Sequence, residues 1–165
     1  MTFATISIYF CNTANEMIMR SNKPLTYLIG QTMKLVKFKL VSKFKENNLD
    51  LSFEHFTMLH FINEKESQTQ QDMANHFLRD KSIILRQVNT LIELQYVVRT
   101  IDKDDKRKKN LMLTEKGRKL LQRSKELSRE VSSELLNGIT QEELAHFENV
   151  ITKIQMNTGF YECVS

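Results

Sequence analysis

The chain is poor in residues that interrupt helices or form covalent cross-links. Its 165 residues include one proline, four glycines, two cysteines and no tryptophan. So little proline and glycine argues against a loop-rich or all-β protein and favours helices. Cys11 and Cys163 lie near opposite ends of the chain without metal-type spacing. This argues against a disulfide framework and predicts a reducing, cytoplasmic environment.

Long apolar runs are also lacking. The apolar stretch at residues 3–11 is short and no basic residues precede it, so it resembles neither a signal peptide nor a membrane span. Met17 or Met19 is an alternative start, which would make residues 1–16 an extension. We therefore treat residues 1–24 as an N-terminal extension of the folded protein.

Charge is unevenly distributed, although the overall composition is that of an ordinary globular protein with one core. Residues 79–129 carry 15 basic and 7 acidic side chains, whereas residues 130–165 carry 1 and 6. The basic segment predicts contact with a polyanion, and the acidic end predicts a separate task. The alternative is that the basic segment is simply a solvated helix surface.

Apolar periodicity and capping residues predict a mainly α protein with about six helices and a two-stranded hairpin. The predicted helices span residues 25–47, 53–65, 70–78, 81–94, 115–136 and 141–156, and the hairpin spans 97–113. The predicted N-caps are Ser52, Thr69, Asp80, Thr114 and Thr140, the last in a capping box with Glu143. The first helix is apolar on more than one face, so it needs a second layer of helices or another subunit.

The third and fourth helices form a candidate helix-turn-helix. In the fourth helix Ile84, Val88 and Leu91 form the core stripe. The residues off this stripe that would face DNA are Lys81, Ser82, Ile83, Leu85, Arg86 and Asn89. The alternative is a pair of core helices with solvated polar faces. Two aliphatic side chains off the core stripe argue against that alternative, because exposed apolar pairs usually have a partner.

The hairpin that follows has a cationic tip. Six of the residues 99–109 are basic, and such a tip has no core to join. A helix followed by a basic wing predicts a DNA-binding protein.

At this point the chain resembles the MarR (multiple antibiotic resistance regulator) family of winged-helix repressors. The residues that carry the resemblance are Thr69, Gln70, Ala74, Asp80, Lys81, Ser82, Arg86, Val88, Leu91, Arg99, Asp105, Lys106, Arg107, Leu113, Thr114 and Gly117. The resemblance implies a winged helix-turn-helix dimer on a pseudo-palindromic operator. It also implies that Arg107 enters the minor groove, where an A·T-rich sequence enhances the negative potential. Asp105 would hold the wing or that arginine in place, the alternative being a surface ion pair.

Two positions depart from the family pattern. Gln95 replaces a frequent glycine after the fourth helix, and a left-handed glutamine costs about 1–2 kcal/mol, so we expect a different local turn. Lys103 replaces a frequent wing proline. The peroxide sensors of the family use a cysteine early in the first helix, and residues 25–47 contain none, so a redox role is disfavoured.

The sequence therefore predicts a dimeric, sequence-specific regulator of transcription, a repressor released by a small ligand. The resemblance implies that this ligand is aromatic or phenolic. Residues 49–136 would bind DNA, and residues 25–48 and 137–165 would form the dimer. The predicted DNA-binding residues are Thr69, Gln70, Lys81, Ser82, Ile83, Leu85, Arg86, Asn89, Arg99, Asp105, Arg107 and Lys108. The predicted ligand-pocket residues are Tyr27, Phe38, His55 and Phe56.

Two other classes of function remain open. A nonspecific basic or RNA-binding protein is the first alternative, although the aromatic residues are not arrayed as stacking platforms. A small helical enzyme is the second. No nucleophile–base pair, phosphate loop or metal-type histidine spacing is present, so we expect no catalytic activity, no cofactor and no metal.

Overall fold

The structure is a computed structural model that describes residues 23–64, 68–102, 105–107 and 109–159. These residues form six helices and one antiparallel hairpin, as predicted, and they fall into two compact units that divide between Phe38 and Lys39. The helices are α1 (Leu25–Glu46), α2 (Phe53–Glu64), α3 (Gln70–His76), α4 (Lys81–Glu93), α5 (Glu115–Leu135) and α6 (Gln141–Asn157). The strands are β1 (Val97–Ile101) and β2 (Lys109–Leu113). Residues 1–22, including Cys11 and the alternative starts, and residues 160–165, including Cys163, lie outside the described part.

Side-chain capping sets most of the helix starts where the sequence predicted them. Thr114 accepts a hydrogen bond from the backbone N–H of Gly117, and Ser52 accepts one from the backbone N–H of His55. Thr140 and Glu143 form the predicted capping box.

The prediction for Asp80 is wrong in one respect. Asp80 occupies the N-cap position of α4, but its side chain makes no capping hydrogen bond. The backbone N–H of Ile83, which a capping side chain would use, donates instead to the backbone carbonyl of Asp80 at 3.0 Å.

One hydrophobic core joins α2, α3, α4, α5 and the hairpin. The predicted stripe of Ile84, Val88 and Leu91 is fully buried, which confirms the core face of α4. Leu59 and Leu127 contribute to the same cluster from α2 and α5. Burial of this face leaves the opposite face of α4 toward solvent.

The turn after α4 is left-handed, so the expectation of a different turn at Gln95 is wrong. Gln95 has φ 62°, and the Tyr96 N–H donates to the Leu91 carbonyl while the Gln95 N–H donates to the Ile92 carbonyl. These two bonds define a Schellman motif, which normally uses glycine at this position. The Thr114 hydroxyl also donates to the Gln95 carbonyl at 2.7 Å. The surrounding hydrogen bonds therefore hold glutamine in a conformation that it adopts only at a cost.

The chain buries little of its first and last helices. In α1 only Leu40 and Phe44 are buried. In α6 no residue is buried, and Phe147 and Val150 are 59% and 49% exposed. Exposed apolar side chains on both helices are typical of surfaces that another molecule covers.

Candidate nucleic-acid interface

Helices α3 and α4 form the predicted helix-turn-helix. Thr69 and Asp72 form a capping box that starts α3. The turn between the helices contains Leu78 in the left-handed region with φ 49°. The Leu78 N–H donates to the carbonyl of Asn75, and the Arg79 N–H donates to that of Ala74. These bonds end α3 abruptly, so that α4 can begin at Lys81.

The predicted contact residues of α4 mostly lie on its exposed face. Lys81, Ser82, Leu85 and Arg86 are exposed, and Asn89 is half-buried. Ile83 differs from the expectation, because it is half-buried beside the turn, where it lines a shallow depression with Leu78 and Ala74. Leu85, which is 42% exposed, is therefore the aliphatic side chain that the described face of α4 presents to solvent.

Thr69 has structural contacts of its own, and Gln70 is partly withdrawn from solvent. The Thr69 hydroxyl donates to the Asp72 carboxylate at 2.6 Å and accepts from the Asp72 N–H. Thr69 also forms a β-bridge with Asn110. Gln70 is half-buried, and its side-chain nitrogen is buried with no hydrogen-bond partner among the described residues. A DNA contact by either residue stays a prediction.

The hairpin is fastened to the helix-turn-helix at its base. Its strands pair in the register Val97↔Leu113 through Ile101↔Lys109, with Val97, Leu111 and Leu113 buried on the inner face. The Leu111 N–H donates to the carbonyl of Gln68, just before α3, at 2.8 Å. The base of the wing is thus part of the core, and its loop extends from a fixed support.

Hydrogen bonds within the wing loop lead to Arg107. Asp105 accepts the backbone N–H of Arg107 at 2.9 Å, while its role in holding the wing or that arginine for DNA stays a prediction. Asp102 in turn accepts the backbone N–H of Asp105 at 3.0 Å. Arg107 itself is exposed. Lys103 and Lys108 lie outside the described residues.

Sequence reasoning missed Asp102 and its partner Asn110. The signal available in the sequence was an aspartate directly after a predicted strand, since such a residue often accepts backbone N–H groups in turns. Nothing in the sequence indicated the partner.

Three cations of this region form ion pairs on α5. Arg118 and Lys119 lie within 4.0 Å of Glu115, and Arg123 lies 3.1 Å from Glu126. In the described part of the chain no ion pair is recorded for Lys116, Lys125 and Arg129 of the same helix. The same holds for Lys81, Arg86, Arg99 and Arg107, which we call the unneutralised cations of α4 and the wing.

The predicted ligand-pocket residues have different environments. Tyr27 and Phe38 belong to the first unit and are 43% and 72% exposed. In the second unit, Phe56 is 9% exposed and packs edge-to-face on Phe44, so it is a core residue. His55 is half-buried, and its Nε2 atom is buried without a hydrogen-bond partner among the described residues. The pocket stays a prediction.

The described residues contain neither a metal-ligand cluster nor a membrane-spanning helix. No cluster of three or more histidine, cysteine, aspartate or glutamate side chains there could hold a metal ion. No helix of the described ranges is long and apolar enough to span a membrane.

These features define a winged helix-turn-helix protein. Residues 51–109 match the model of the MarR family. This match confirms the resemblance noted in the sequence.

Solved structures share the fold. The complex of Staphylococcus aureus MepR with DNA is 22% identical, with 82% of this chain and 96% of that chain covered and a TM-score of 0.73. The transcriptional repressor CouR bound to a 23-mer DNA duplex is 20% identical, with coverages of 79% and 92% and a TM-score of 0.72. CouR from Rhodococcus jostii RHA1 bound to p-coumaroyl-CoA is 23% identical, with coverages of 80% and 92% and a TM-score of 0.70.

Proposed function

We propose that this protein is a sequence-specific, double-stranded DNA-binding regulator of transcription that acts as a dimeric repressor and is released by a small ligand. The observation that carries the proposal is the set of unneutralised cations on α4 and the wing. Arg86 would donate to a guanine edge in the major groove, and Arg107 would enter the minor groove. Lys81 and Arg99 would contact phosphates.

The elements on which these cations lie support sequence-specific binding. A nonspecific polyanion-binding protein needs only a broad basic surface, whereas Lys81, Arg86, Arg99 and Arg107 lie on α4 and the wing. The helix also presents Leu85, whose side chain suits contact with a thymine methyl group. A surface that combines side chains suited to base edges with side chains suited to phosphates favours sequence-specific binding. The DNA-bound MepR and CouR structures support the same use of this fold.

Dimer formation is inferred from the apolar faces left exposed on α1 and α6. Helix-turn-helix dimers read two half-sites about one turn of DNA apart, so operator binding needs both subunits. A ligand that changes the distance between the two α4 helices would then prevent both from engaging the operator together.

The ligand class follows from the resemblance and from the CouR structure with p-coumaroyl-CoA. We propose an aromatic or phenolic effector that binds near His55, whose buried Nε2 atom has no hydrogen-bond partner among the described residues.

DNA binding is tested by gel shift with the protein and the DNA upstream of its own gene, with unrelated duplex DNA and RNA as competitors. We expect a complex that excess unrelated DNA or RNA does not remove. Equal competition by all nucleic acids would instead support the nonspecific alternative, and no complex with this or any other DNA would contradict the proposal.

The effector proposal has a reciprocal test. A ligand that weakens DNA binding tenfold must itself bind tenfold more weakly to the DNA complex, a coupling of about 1.4 kcal/mol. Equal ligand affinity for free and DNA-bound protein would contradict it.

A further inference from the structure

A hydrogen bond joins α4 to the wing. The Arg99 guanidinium donates to the side-chain oxygen of Asn89, with 2.6 Å between Nη2 and Oδ1. The chain turns at Gln95 between the two residues, so that β1 packs beside α4 and brings Arg99 to Asn89. Asn89 has a short, half-buried side chain on a helix, whereas the side chain of Arg99 is long and exposed. The bond therefore restrains a mobile cation against a fixed support.

The group that holds Arg99 is neutral. A guanidinium group is always charged and carries several N–H donors, of which this bond uses one. A carboxylate would hold the group at least as firmly, but it would also cancel the charge. Glu93 lies one turn after Asn89 and lines the same shallow depression on α4. Among the described residues no ion pair between Glu93 and Arg99 is recorded. Arg99 is thus held with its charge intact.

These properties suit contact with a phosphate group of DNA. A freely moving arginine that binds a phosphate loses side-chain freedom, and this loss lowers affinity. An arginine already held at one N–H group loses less, and its other donors stay available for phosphate oxygens. The gain in affinity also depends on the charge, because a cation at a phosphate releases counterions. A neutral acceptor meets both requirements, whereas a carboxylate meets only the first.

We propose that Asn89 is a positioning residue, which holds the Arg99 guanidinium for a backbone phosphate of DNA without cancelling its charge. The inference rests on the proposed function, because it depends on the phosphate contact assigned there to Arg99. In this role Asn89 contributes to affinity for DNA through Arg99 and needs no contact of its own with a base.

The test measures affinity at several salt concentrations for the duplex that the full chain selects from randomised DNA. Arg99→Met removes the charge and should lower affinity at least about tenfold, and the slope of log K against log salt should fall by about one for each bound subunit. Asn89→Ala should lower affinity about fivefold through the lost restraint. Its slope should stay unchanged, because Arg99 keeps its charge. In the Arg99→Met background Asn89→Ala should have almost no effect, which separates positioning from a direct contact with DNA.

Asn89→Asp separates positioning from a purely structural role. This variant retains an acceptor for Arg99, so its thermal stability should match or exceed that of the unsubstituted protein. If the bond were only structural, DNA binding would also be retained. We expect instead an affinity below that of Asn89→Ala and a slope as low as that of Arg99→Met, because the carboxylate cancels the charge.

Glu93→Gln is the matched control for charge alone. It changes the charge of the same depression by one unit but leaves the acceptor of Arg99 in place. Since this charge is exposed and unpaired with Arg99, we expect a change in affinity of at most about twofold. Thermal unfolding checks that every variant folds, and the Asn89 variants keep the test decisive if Arg99→Met does not fold.

Several outcomes would overturn the inference. One is an unchanged affinity of folded Asn89→Ala, and another is full affinity of folded Asn89→Asp. Equal losses from Asn89→Ala with and without Arg99 would indicate that Asn89 contacts DNA itself. Equal and opposite effects of Asn89→Asp and Glu93→Gln would show that only the total charge matters. If the unsubstituted protein selects no sequence, the proposed function fails. If it selects one but folded Arg99→Met binds as before, the inference fails alone.

Discussion

The side-chain amide of Asn110 donates to the carboxylate of Asp102 at 2.7 Å, joining β2 to the residue that directly follows β1. Asn110 is 6% exposed, so the bond lies at the buried end of the wing loop. The other oxygen of Asp102 accepts the backbone N–H of Asp105, which accepts that of Arg107. A continuous set of hydrogen bonds thus leads from the core to the arginine proposed to enter the minor groove. Holding Asp102, Asp105 and the Arg107 backbone in place before binding lowers the entropy lost when DNA is bound.

Substituting Asp102 by alanine should therefore weaken operator binding through Arg107. We expect a loss of about five- to tenfold at fixed salt, equivalent to about 1–1.4 kcal/mol. In an Arg107→Ala background the same substitution should have almost no effect, because the loop then has no arginine to position. A double-mutant cycle measured by fluorescence anisotropy provides the comparison. Additive losses would show that Asp102 acts independently of Arg107.

The left-handed glutamine after α4 gives a prediction about stability. Replacing Gln95 by glycine should raise the free energy of unfolding by up to about 1 kcal/mol, since glycine adopts positive φ without steric cost. Gln95→Ala is the matched control, because it removes the side chain but retains the Cβ atom that makes this conformation costly. Urea denaturation of the three proteins gives the values. A destabilised Gln95→Gly would mean that the glutamine side chain contributes more than the backbone costs.

The features predictable from the sequence are those set by local chemistry. The burial of Ile84, Val88 and Leu91 follows from helical spacing alone, and the cap at Thr114 follows from the residue type and the pattern after it. The prediction for the turn at Gln95 was wrong because it considered only the conformational preference of glutamine. The hydrogen bond from Thr114, which helps to hold the turn, depends on the tertiary structure.

The site was less predictable because it depends on distant pairing. Arg99 reaches Asn89 only when β1 packs beside α4, and Asn110 reaches Asp102 only in the observed hairpin register. Neither hydrogen bond produces a periodic pattern in the sequence. The ion pairs within α5 could have been predicted from the sequence, because a glutamate lies three and four residues before these cations. A count of charges by segment does not show such pairs.

A cluster of charges between α1 and α5 predicts sensitivity to acid. Hydrogen bonding and attraction from Lys39, with a smaller contribution from Lys43, hold the pKa of the Glu134 carboxyl below its ordinary value of 4.5. Glu130 and Glu134 correspondingly raise the pKa of Lys43. A lowered carboxyl pKa adds stability above pH 4.5 that is lost as the pH falls through the folded-state value.

Glu134→Gln should therefore reduce the loss of stability on acidification below about pH 4.5, the ordinary pKa of the group. Glu126→Gln is the matched control, because it removes the same charge from the same helix but its partner Arg123 is three residues away. Thermal unfolding at a series of pH values between 3 and 7, roughly the range over which carboxyl groups titrate, supplies the measurement. Identical pH profiles for the two variants would exclude a special role of the interhelical cluster.

A substitution on the exposed face of α6 tests whether the protein is a dimer. Phe147 is 59% exposed in the single chain, so its replacement by aspartate should have little effect on a monomer. If the face is a subunit interface, the buried charge must be desolvated and the dimer should dissociate. Sedimentation velocity distinguishes a 19.5 kDa chain from a species of twice that mass. Asn149→Asp is the control, because it adds the same charge to an exposed position of the same helix.

Loss of the dimer should in turn weaken operator binding more than any single contact does. Two linked subunits bind the second half-site as an intramolecular event, so separation removes the effective concentration that the dimer supplies. We expect Phe147→Asp to lower operator affinity at least 100-fold, within the range typical of linked binding, while its affinity for a single half-site stays unchanged. Asn149→Asp should match the unsubstituted protein in both assays. A monomeric Phe147→Asp variant with full operator affinity would show that each subunit binds DNA alone, and the requirement for a dimer would have to be abandoned.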